Sequence, residues 1–99
     1  MESLVCFRFW LTTGFFRLEP YFISVGSSQV HLDPQENGKR IRIPHERLRS
    51  IILYSAVREL EIVTSEEVFV GRLDNTCSID MLMSTLCLAF DSQMIFKPS

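Results

Sequence analysis

At 99 residues and 11.5 kDa, the chain is long enough for one domain and too short for two. A hydrophobic share of 46% and a charged share of 22% exclude a disordered chain. Ten Lys and Arg against twelve Asp and Glu leave a net charge of −2, which disfavours a generic nucleic-acid coat or a polybasic membrane binder.

A two-residue period runs through most of the chain, the mark of half-buried strands. Val5, Phe7, Phe9 and Leu11 alternate with Cys6, Arg8 and Trp10 and predict a first strand. Thr12-Thr13-Gly14 marks a turn. Residues 15–25 read as a long second strand, interrupted at Glu19-Pro20, where the missing proline N–H demands a bulge or an edge. After the Gly26-Ser27-Ser28 turn, Val30 and Leu32 mark a short third strand. A polar loop over residues 33–38 leads to a fourth strand, with Ile41 and Ile43 inward and Arg40 and Arg42 outward. Pro44 permits a single helical turn after it. Residues 51–55 are apolar on both faces, so the fifth strand is expected to be central. The sixth, over 58–64, turns Leu60 and Ile62 inward and Glu59 and Glu61 outward; the seventh spans 67–73.

After Asp74 the period changes. Ile79, Leu82, Met83, Leu86, Ala89 and Phe90 recur at helical spacing and fall on one face about 120° wide. Asp74, Asn75, Thr76 and Ser78 offer N-caps, and Asp80 suits the first turn, so a helix is predicted from about residue 78 to 91. It is expected to plug a bent sheet, burying Ile79, Leu82, Leu86 and Phe90 against Phe7, Phe9, Ile52 and Leu60. Each large side chain so buried contributes roughly 1.5–3 kcal/mol. The expected fold class is mainly β (α+β): a seven-stranded antiparallel, partly open barrel or sandwich capped by one C-terminal α-helix. Residues 1–99 read as a single domain at the N-terminus of a longer protein, with 91–99 a tail or the start of a linker.

The element order resembles the pleckstrin-homology (PH-like) superfold. The likeness is carried by Val5-Cys6-Phe7-Arg8-Phe9-Trp10, by residues 41–51 (Ile-Arg-Ile-Pro-His-Glu-Arg-Leu-Arg-Ser-Ile) and by Glu59-Leu60-Glu61-Ile62-Val63-Thr64. Lipid-binding members carry several Lys and Arg on the first two strands and their loop. Here that region holds only Arg8 and Arg17, and the loop Thr12-Thr13-Gly14 is neutral, which weighs against phosphoinositide headgroup binding. The usual tryptophan of the last helix is replaced by apolar residues such as Leu86, and Trp10 sits on the first strand instead. By this resemblance, members lacking the lipid motif bind peptides or other domains, some in nuclear and chromatin machinery.

The three cysteines, Cys6, Cys77 and Cys87, form no CxxC pair, so neither a disulfide framework nor a zinc site is expected. Cys6 and Cys87 lie in apolar runs and read as small core hydrophobes suited to a reducing compartment. Glu2 and Arg8 break the N-terminal apolar stretch, and no uncharged run reaches the length of a membrane span. An intracellular place, cytoplasmic or nuclear, is expected. Neither histidine, His31 or His45, stands in a nucleophile signature, and no glycine-rich phosphate loop is present, so no enzyme activity, metal or cofactor is expected.

Two surfaces remain as candidates. Met81 and Leu88 fall opposite the core stripe of the helix, among Ser84 and Thr85, and read as a docking stripe; Trp10 and Arg8 share the outward face of the first strand as interface anchors. Lys39, Arg40, Arg42, Arg47 and Arg49 supply half of the basic residues and form a candidate anion-binding segment, against which stands the plain reading of a charged, solvated edge strand. The expected function is a non-catalytic protein–protein interaction module, a scaffold or adaptor in a larger assembly, with a protein partner or a second copy of the chain. The alternatives are a phosphoinositide or anionic membrane-surface adaptor and weak nucleic-acid binding, both disfavoured by the charge balance.

Overall fold

The computed structural model describes residues 6–15, 17–26, 28–36 and 38–98. Glu2, Val5 and Ser27, all named in the reading above, lie outside the described residues. The described chain forms strands β1 (Cys6–Gly14), β2 (Arg17–Val25), β3 (Gln29–Pro34), β4 (Ile41–Pro44), β5 (Leu48–Tyr54), β6 (Glu59–Thr64) and β7 (Val68–Leu73). Helix α1 (Ile79–Phe90) follows, and then β8 (Met94–Lys97). Single 3-10 turns at His45–Arg47 and Asp91–Gln93 lead into β5 and β8. All strands belong to one sheet in the order β4-β3-β2-β1-β7-β6-β5-β8. Every neighbouring pair is antiparallel except β5 and β8.

The alternation read from the sequence is the alternation found. Phe7, Phe9 and Leu11 are buried while Cys6, Arg8 and Trp10 face out, and Leu60 and Ile62 are buried between the half-buried Glu59 and Glu61. The strand period forces this: once one residue points into the core, every second one must follow. Cys6 therefore lies exposed rather than in the core, and Cys87 is half-buried; only Cys77 is buried. Pro20 sits inside an unbroken β2 without a bulge. Its carbonyl accepts from the Gln35 N–H, just past the end of β3, so the side of Pro20 that lacks a donor faces no strand partner.

Two further expectations need correction. The fifth strand does not turn Ile52 toward the helix. Ile51 and Leu53 are fully buried and Ile52 is half-exposed, because a register shift at Arg49 sets the parity of the strand: Leu48 pairs with Thr64 and Ser50 with Val63. The strand count is eight rather than seven. Residues 91–99, expected to be a tail, carry a 3-10 turn and then β8, which pairs with β5 from Ile51↔Met94 to Tyr54↔Lys97. This added strand makes β5 internal, which explains why it is apolar on both faces.

The sheet does not close into a barrel, since β4 and β8 are its two free edges. Helix α1 fills the gap. Leu82, Leu86 and Phe90 are buried in one cluster with Phe7, Phe9, Leu53 and Leu60, and Ile79, Met83 and Ala89 pack against that cluster from its rim. The Ser78 side chain caps the helix by accepting from the Met81 N–H at 3.3 Å.

Candidate functional site

Helix α1 presents its second face to solvent. Met81 is 56% exposed and Leu88 91% exposed. Ser84 is exposed between them, and the Thr85 hydroxyl donates to the Met81 carbonyl one turn back at 2.8 Å. Within α1 the single charged residue is Asp80; Asp91 follows as the C-cap. The outer face is therefore a neutral band flanked by two carboxylates. The acid at the C-terminal end is unfavourable for the helix itself, because the last turn carries no basic residue to offset the negative end of the helix dipole.

Trp10 and Arg8 occupy the outer face of β1, a different element from the Met81 and Leu88 pair. Trp10 is 39% exposed. Both residues bear on Asp74, in the segment entering α1. The Asp74 carboxyl is held below its ordinary value chiefly by the Thr76 N–H and hydroxyl, with smaller contributions from the Arg8 charge and the Trp10 side chain. Arg8 also donates to the Gln35 side chain at 3.2 Å. Arg58, from the β5–β6 turn, donates to the carbonyls of Asp74 and Cys77 at 2.7 and 2.5 Å and ties the same segment from the other side.

Four of the five candidate basic residues come together. Lys39, Arg40, Arg42 and Arg47 line a groove of about 360 Å³ whose remaining walls are Ile41, Phe69 and Glu67. Arg49 does not join them; it lies at the register shift of β5, exposed. Within the groove Arg40 approaches Asp33 to 2.7 Å and Arg47 approaches Glu66 to 3.4 Å. Lys39 and Arg42 have no carboxylate partner among the described residues. His45, inside the basic segment, points elsewhere: its ring stacks on Phe90 at 5.7 Å and lies 3.0 Å from the Gln93 amide.

Sequence reasoning missed Phe69 and Glu67, which stand 18 or more residues from the basic segment and reach it only through the fold. No local signal could have found them. Among the described residues, no cluster of three or more His, Cys, Asp or Glu could hold a metal ion, and no helix is long and apolar enough to cross a membrane.

No family model matches the sequence, and no curated protein is significantly similar to it. The structure is similar to the solution structure of the N-terminal PH domain of human ARAP2, with a TM-score of 0.69 and 15% sequence identity, covering 94% of this chain and 86% of that one. Likeness at this identity speaks to architecture alone. The chain has a PH-like fold: a bent, open, mostly antiparallel sheet with its gap filled by a late helix.

Proposed function

We propose that this domain is a non-catalytic protein-interaction module of an intracellular assembly and that it docks its partner on the outer face of α1. The observation that carries this reading is the neutral band from Met81 to Leu88, solvent-facing and closed at each end by an aspartate. A helix that only shields a core ordinarily turns charged residues outward. This one turns out Met81, Ser84, Thr85 and Leu88 and places an acid at its C-terminal end, where a helix gains from a base. Local choices that lower stability without structural gain are typical of binding surfaces. The partner that fits is an apolar ridge with basic flanks, its apolar side chains on Met81 and Leu88 and its cations at Asp80 and Asp91. Trp10 and Arg8 form a separate ledge on β1, and the Arg8 carbonyl accepts from the Asp74 N–H.

The test compares proteins captured from cell extract by the wild-type domain and by a Met81→Asp, Leu88→Asp double variant, read by quantitative mass spectrometry. Each protein lost is then purified and its binary affinity measured. The reading expects a direct partner whose affinity falls by about 2 kcal/mol or more in the double variant, the scale of an interface hot spot, while the melting temperature stays unchanged. A collapse in thermal stability would show these side chains to be core. An unchanged set of direct partners would discard the helix face as the interface, and a concentration-dependent dimer lost in the variant would assign that face to a second copy of the chain.

A further inference from the structure

From a different observation, and independently of the α1 face, we infer that the groove between β4 and β7 is a second binding site whose ligand is an extended protein segment combining acidic and large apolar side chains. The groove volume of about 360 Å³ lies within the usual range of ligand pockets, about 300–1,000 Å³. Its chemistry is mixed in a way that selects among anions. Ile41 and Phe69, both half-buried and packed on the core, give it apolar walls. Of its cations, Arg40 lies 2.7 Å from an Asp33 carboxylate oxygen and Arg47 3.4 Å from Glu66, while Lys39 and Arg42 have no carboxylate partner among the described residues. The hold on Arg47 is partial. Its Nη2 lies 3.4 Å from the Glu66 carboxylate, and its Nε is buried with no hydrogen-bond partner among the described residues. The rest of the guanidinium is partly exposed and can take a second acceptor.

The number of uncommitted charges decides the ligand class. A polyphosphate headgroup or a nucleic-acid backbone brings several negative charges at close spacing, and Glu67 on the wall repels each of them. Two free cations beside a carboxylate are too few to hold it. A peptide offers single charges, one per side chain and spaced along the backbone. Two carboxylates match Lys39 and Arg42, and a large apolar residue between them covers Ile41 and Phe69.

The test pans a phage-displayed heptapeptide library on the full 99-residue chain and measures the affinity of the synthetic consensus peptide. Enriched peptides are expected to carry two Asp or Glu around a large apolar residue. The consensus should bind about tenfold more weakly to the Lys39→Glu, Arg42→Glu double variant. Its affinity should also fall with added salt and be unaffected by Met81→Asp with Leu88→Asp, which separates this site from the helix face. Both basic residues are exposed, and an unchanged melting temperature confirms that the variant is folded. The proposal is overturned by any of four results: no enrichment, enrichment without acidic residues, binding indifferent to the charge reversal, or displacement of the peptide by inositol hexakisphosphate or by vesicles containing phosphatidylserine.

Discussion

Gly71 shows how a single atom can constrain the sheet. It lies on β7 opposite Leu11 and Leu60, and a Cβ there would overlap the Phe9 ring and stand 2.6 Å from the Trp10 carbonyl oxygen. Phe9 is fully buried and a backbone carbonyl cannot step aside, so Gly71→Ala is expected to destabilise by about 1–3 kcal/mol, as an overpacked core does, in chemical denaturation. Arg58 is the opposite case, a side chain kept at a backbone cost. It adopts a positive φ of 54°, a region few non-glycine residues visit, and its guanidinium bonds hold the segment entering α1. Asp74 in that segment gives a pH signature. Its folded pKa lies below the ordinary value of 3.8, so its contribution is complete above 3.8 and is lost as pH falls through the lowered folded value. Hydrogen exchange at the Thr76 amide should accelerate over that acid range relative to neighbouring amides. Asp74→Asn, which keeps an acceptor but no titrating group, should abolish the pH dependence.

Helix α1 has one buried and one exposed face, and the two faces predict opposite outcomes for one chemical change. Leu86 is fully buried; Leu86→Ala should cost about 2–5 kcal/mol because a cavity opens where the sheet cannot collapse. Leu88, two residues on, touches solvent over nearly its whole surface, and Leu88→Ala should change stability by no more than about 0.5 kcal/mol. Thermal unfolding of the two variants side by side checks both values. Equal losses would mean that Leu88 is covered. The amphipathic spacing announced this division, and the boundaries read from it differ from the observed helix by one residue at each end. Strand β8 was not legible in the same way. Met94-Ile95-Phe96 is too short to display a period, and its pairing partner, β5, lies some forty residues upstream. Its place on the sheet is a property of β5, whose two apolar faces call for neighbours on both sides.

At the scale of the whole molecule, an eight-stranded open sheet leaves two edges, and the protein treats them differently. The β4 edge carries Arg42 and Pro44, with Arg40 just before it, and these residues deter pairing with other strands. The β8 edge carries Ile95 and Phe96, both partly exposed, with Lys97 lying over the Tyr54 ring at 5.8 Å. Charge is divided as well. Residues 1–55 hold seven of the ten basic side chains and residues 56–99 hold seven of the twelve acidic ones. The fold gathers four of those seven, Lys39, Arg40, Arg42 and Arg47, at the β4–β7 groove and puts Asp80 and Asp91 at the ends of the α1 face, so the two proposed docking surfaces carry opposite signs.

In β1 and α1 the sequence by itself determined which of the large side chains point inward. Alternation along Phe7, Phe9 and Leu11, and helical recurrence along Leu82, Leu86 and Phe90, depend only on backbone geometry within one element, so they can be read without a partner strand. The basic residues at 39–42 and 47, and the Met81 and Leu88 pair, were legible for the same reason. Only the tertiary structure decided what those side chains meet. It set the parity of β5 through the register shift at Arg49, added β8 to its edge and put Phe69 and Glu67 across from Arg42. It also set Arg40 beside Asp33 and Arg47 beside Glu66, with no carboxylate beside Lys39 and Arg42 among the described residues. These are contacts between segments far apart in the chain. They depend on how strands register and elements pack, and no local pattern encodes that geometry.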